Sequence, residues 1–158
     1  MTEDLVLSRA LHVLFVTHWI GGVAFVTLVA LPLALASEDG ERGWALFEAI
    51  ERRFAAQVRV SIPLAGATGL WMTWRLDMWS RFADPGFWWM DAMAGLWALF
   101  MLLVFVGEPL VHARLEASAA RDPRAALRRL ALAHAVLLTL ASVTILGAVG
   151  GAQGGLFN

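Results

Sequence analysis

The chain has 158 residues, 59% of them hydrophobic and only 16% charged, with a mean hydropathy of +0.68 and a net charge of −1. An ordinary soluble domain is about 45–50% apolar and about 25% charged, so this is the composition of one membrane domain covering residues 1–158. Cysteine, tyrosine and lysine are absent, which excludes disulfides, zinc–thiolate sites, thiol catalysis, Schiff-base or phosphate-loop lysines and a tyrosyl acid.

Residues 2–8 carry Glu3 and Asp4 where a signal peptide has a basic segment. The apolar run that follows is therefore expected to stay as a membrane helix. A bilayer core takes about 20 apolar residues per helix, and four stretches qualify, at about 10–36, 58–74, 88–111 and 130–150. The amphipathic residues Trp44, Leu46, Phe47, Ile50 and Phe54 are expected to join the short second span as one long helix. The third helix is predicted to run on through His112 towards Ala120. Asp122 is then an N-cap, with Pro123 as the first residue of the fourth helix. The fold class is all-α: an up-down-up-down antiparallel four-helix membrane bundle with a tight hairpin between helices three and four. No stretch alternates as a strand would.

Arginine placement orients the bundle. Arg9, Arg75 and Arg81 lie on the N-terminal side, and the other nine of twelve lie opposite. Positive charge marks the cytoplasmic side, which puts both termini outside a bacterial-type inner membrane. Trp71, Trp74, Trp79, Phe82, Phe87, Trp88 and Trp89 form an aromatic belt at the outer face, or a cover over a ligand there. Gly21–Gly22, Gly66 and Gly69 are small enough to admit a backbone or a flat ring. Pro32, Pro63 and Pro109 are expected to bend their helices. Nothing suggests a nucleotide-binding loop or a nucleic-acid surface.

Ionisable residues inside membrane helices are costly, and each is a functional candidate. They are His12, His18, Arg59, Asp91, Glu108 and His134, with His112 just beyond the third span. Counted from the turn at Asp122, His112 and His134 stand roughly 15 and 18 Å away at a rise of about 1.5 Å per residue. Glu108 is one turn from His112. These three are expected to form an inner pocket holding a metal or haem, unless Glu108 instead pairs with Arg59. His12 and His18 differ by about 240° around their helix, so one would face a cofactor and the other a neighbouring helix. Met72, Met90, Met93 and Asp91 lie near their level, and histidine and methionine both serve as haem ligands.

The stretch Arg9-Ala-Leu-His-Val-Leu-Phe-Val-Thr-His-Trp-Ile-Gly-Gly-Val-Ala-Phe resembles the first helix of the CopD-like membrane proteins and of the related HemJ-type protoporphyrinogen oxidases. The matching positions are Ala10, Leu11, His12, Trp19, Gly21, Gly22 and Phe25. Weaker likeness continues at Arg52-Arg53-Phe54 and Thr68-Gly69-Leu70. The resemblance implies that His12 is an axial haem ligand. In the HemJ type a lysine completes the pair, and with no lysine here the second ligand must be another side chain. The CopD likeness implies copper handling, for which methionine and histidine suit Cu(I). The expected function is a membrane-embedded haem b protein in electron transfer or oxidoreduction, with copper binding or transport as the alternative and a cofactor-free scaffold as the third reading. Its cofactor residues would be drawn from His12, His18, His112, His134, Met93 and Arg59, with His12, Glu108, His112 and His134 as metal ligands. Its partners would be the lipid bilayer and a quinone, a porphyrin or a periplasmic carrier, with a homodimer compatible.

Overall fold

The computed structural model describes residues 2–153, the side chains of Glu108, Pro109, Val111 and His112 excepted. The described residues are helical almost throughout. Helix α1 (Glu3–Phe25) passes through a π-helical stretch, Val26–Ala30, into α2 (Leu31–Ala36). Helix α3 (Gly40–Arg75) follows after a short turn, capped by the Asp39 carboxylate, which accepts from the Glu41 amide at 2.9 Å. At its far end Asp77 adopts φ 49°, a left-handed conformation that closes a helix and that Asp tolerates better than most residues. Two 3-10 turns (Trp79–Ala83 and Pro85–Phe87) lead to α4 (Trp88–Leu102), a second π-helical stretch (Leu103–Gly107) and α5 (Glu108–Arg121). The last helix, α6 (Pro123–Ala152), starts as expected: Asp122 Oδ1 accepts from the Ala125 amide at 2.9 Å, with Pro123 in the first turn.

The prolines have a local consequence that the sequence reading expected only as bends. Each π-helical stretch ends just before a proline-containing first turn, at Pro32 and at Pro109. Proline supplies no N–H to the preceding turn and crowds its carbonyl, and a widened turn accommodates both. Pro63 sits inside regular α-helix.

Three helical runs are long and apolar enough to cross a membrane: Glu3–Ala36, Pro85–Gly107 and Pro123–Ala152. Their most apolar windows are only 39%, 11% and 17% buried within the chain, so most of that apolar surface has only lipid to face. The chain is an all-helical membrane protein. The expected 58–74 span is the far half of α3, where Arg59, Ser61, Pro63, Thr68 and Thr73 dilute the apolar residues.

Helices α1 and α3 run antiparallel, as their contacts show: Asp4 with Arg75, Ser8 with Thr68, His12 with Ala65, and His18 with Gln57. Two apolar clusters hold the interior. Trp19, Ile20 and Val23 meet Val58, Ile62, Ala65, Phe100 and Ala141 in one. Val26, Leu31, Ala34, Phe47 and Leu127 form the other, nearer the turns. Arg124 ties the two turns together by donating to the carbonyls of Ser37 and Glu38 at 3.0 and 2.9 Å.

Candidate functional site

The most developed polar site lies between α1 and α3 around His12. Its Nδ1 is 2.9 Å from the Ala65 carbonyl and 3.1 Å from Thr68 Oγ1. A carbonyl can only accept, so Nδ1 carries the proton and the lone pair of the neutral ring is on Nε2. The Thr68 hydroxyl donates to the Leu64 and Ala65 carbonyls, and Ser8 donates to the Thr68 carbonyl at 3.3 Å. A local reason makes this approach feasible. A Cβ at position 69 would stand 3.1 Å from His12 Cε1, so glycine there lets the imidazole lie against α3. The expectation that Gly66 and Gly69 admit flat rings holds at both. Gly66 receives the Trp97 indole, whose Nε1 donates to the Ile62 carbonyl at 3.0 Å.

His18 also engages α3, through a 3.1 Å hydrogen bond between Nε2 and Gln57 Oε1, on an exposed part of the surface. The two helix-one histidines thus turn to the same neighbour at different heights, rather than one to a neighbour and one to a cofactor as their separation of about 240° predicts. Met93, half-buried, lies one turn from Trp97 towards the Arg75 end. With Trp97 level with Ile62 and Gly66, that turn brings Met93 to the height of His12. Met90 is buried, whereas Asp91 is exposed in the first turn of α4, where a carboxylate complements the helix dipole.

His134 is placed elsewhere. Its Nδ1 donates to the Leu130 carbonyl at 2.9 Å, and its ring meets Phe47 edge-on with centroids 6.2 Å apart. Its height on α3 is that of Phe47, against Ala65 for His12. At about 1.5 Å per residue that is about 27 Å, so the two imidazoles do not share a site. The expected cluster of Glu108, His112 and His134 falls partly on Glu108 and His112, whose side chains lie outside the described residues. Among the described residues, no three of His, Asp and Glu converge in a metal-holding group. Arg59 is exposed on α3.

Comparison with family models, with curated proteins and with solved structures gives no match.

The aromatic residues divide. Trp71, Trp74 and Trp79 are exposed, Trp79 stacks on Phe82, and Arg81 lies 4.7 Å over the Phe87 ring. Trp88 and Trp89 instead seat on Gly147 and Gly151 of α6. By sequence both belong to the outer aromatic belt. The i, i+4 glycine pair opposite a Trp-Trp step was the available signal for this seat.

Proposed function

We propose that this is a membrane-embedded b-type haem protein acting in electron transfer or as a haem-dependent oxidoreductase. The observation that supports it best is the His12 imidazole, whose Nδ1–H is committed to the Ala65 carbonyl at 2.9 Å. Histidines that ligate iron commonly donate their other ring N–H in this way, which fixes the tautomer and orients the ring. His12 would hold the haem through Nε2, and Met93, at the same height on α4, would be its second ligand. Histidine–methionine ligation is an established pair for haem iron. The haem would supply one-electron chemistry. Arg59, on the turn side of His12, would meet a propionate. The likeness of the His12 segment to the HemJ-type first helix points the same way.

In this reading α1–α2, α3, α4–α5 and α6 form an up-down-up-down bundle crossing the bacterial inner membrane four times. The turns at Glu38 and Asp122 are cytoplasmic and both termini are outside. The redox partner is a quinone, a porphyrin or a periplasmic carrier.

The copper reading rests on Glu108, His112 and His134. It is supported by His134, whose Nδ1–H is likewise committed, to Leu130. Haem measured per folded protein in His12→Ala, His18→Ala and Met93→Leu separates the readings. The haem reading expects His12→Ala to lose most of the haem, Met93→Leu to shift the spectrum and His18→Ala to keep it. Full haem with an unchanged spectrum in all three variants would remove His12 as the ligand.

A further inference from the structure

Beside the turn between α5 and α6 the structure contains a concavity of about 540 Å³ that the haem reading leaves unused. Arg114, Ala117, Ser118 and Arg121 line it from α5, and Asp122, Ala125 and Arg129 complete it. The α5 residues are spaced three, four and seven apart, which is one helix face. Among the described residues none of the three guanidinium groups has a carboxylate partner. The one acidic liner, Asp122, already uses Oδ1 to accept the Ala125 amide at 2.9 Å.

The position of the concavity selects its ligand. Arg129 immediately precedes the apolar stretch of α6, so the arginines stand at the depth of lipid headgroups. Both walls continue into the apolar zone. Leu110 lies one turn before Arg114 and is 69% exposed, and Leu132 lies one turn after Arg129 and is 70% exposed. A guanidinium fork matches phosphate oxygens, and each basic side chain near a membrane surface adds to the attraction for anionic lipid. We propose that this concavity binds the phosphate of an anionic phospholipid headgroup, with an acyl chain running along Leu110 and Leu132. A free phosphate would satisfy the arginines alone and leave the leucine track unused.

The test is lipid retention by the purified full chain, read by native mass spectrometry with phosphatidylglycerol or phosphatidylcholine supplied. The site predicts a preference of about tenfold or more for phosphatidylglycerol, the sum of three such attractions being more than enough for it. Combined Arg114→Gln, Arg121→Gln and Arg129→Gln should abolish the preference. Combined Arg42→Gln, Arg52→Gln and Arg53→Gln, with the same loss of charge elsewhere, should keep it. Ala117→Trp fills the concavity without changing charge and should also abolish it, which keeps the test alive if the triple variant does not fold. Equal loss in the two triple variants would reduce the effect to bulk charge and overturn the proposal. Displacement of phosphatidylglycerol by millimolar inorganic phosphate would overturn the lipid assignment.

Discussion

The hairpin formed by α1–α2 with α3 and the one formed by α4–α5 with α6 solve the same packing problem differently. In the first, backbones approach closely and polar side chains cross the seam. Gly43 lies against the Ala34 carbonyl, Ser8 and His12 bond to α3, and Arg75 meets Asp4 at 2.9 Å. In the second, indole rings are the spacers: Trp88 and Trp89 occupy the room left by Gly147 and Gly151. Without a hydrophobic drive between helices in lipid, packing and hydrogen bonds must hold them together, and small residues decide how close they come. The close seam orients a histidine, whereas the arginine-lined concavity lies beside the turn of the seam spaced by rings.

The largest effect is expected where the close seam is backbone against backbone. A Cβ on Gly43 would meet the Ala34 carbonyl oxygen, which cannot swing aside. Gly43→Ala should cost about 1–3 kcal/mol, seen as a lowered midpoint of thermal unfolding in detergent. Gly21→Ala is the control: nothing lies within 4 Å of its Cβ position, and since alanine favours a helix over glycine it should not lower the melt. A melt equally insensitive to both would mean that the first hairpin is not closely packed.

Gly147→Ala should fall at or below the low end of that range, about 1 kcal/mol, because the Trp88 ring it meets can shift. If it proved more damaging than Gly43→Ala, the contrast between the hairpins would be reversed. Smaller still is Thr68→Val, which keeps the shape but removes the hydroxyl 3.1 Å from His12 Nδ1. Interhelical hydrogen bonds in membranes average about 0.6 kcal/mol, and the Ala65 carbonyl would still hold the ring. Its haem content should match that of the parent. Least of all, Asp4→Asn should leave the melt unchanged at physiological salt, since its exposed ion pair with Arg75 is screened.

Much of the first hairpin and the caps was legible in the sequence. Asp122 followed by Pro123 marks a helix start by local chemistry alone, and the amphipathic residues from Trp44 to Phe54 lead into the apolar half of α3 without a break. Gly66 and Gly69 announce space for a ring because small residues in a membrane helix otherwise leave a gap. Which ring fills each gap was not legible, since helical periodicity defines a face but not the register of the opposing helix. That is why Trp97 went unnoticed and why Trp88 and Trp89 were read as interface anchors. The polar partners of His12 and His18 were hidden for the same reason: Gln57 and Thr68 are distant in sequence and ordinary in kind.

Whether His12 holds a haem iron through Nε2, as proposed, is read most directly from the visible absorption spectrum of the purified protein. A Soret band that sharpens and shifts on reduction, with the α band of a b-type haem, is expected, as is its loss in a folded His12→Ala variant. A folded, colourless protein from haem-replete cells would contradict it.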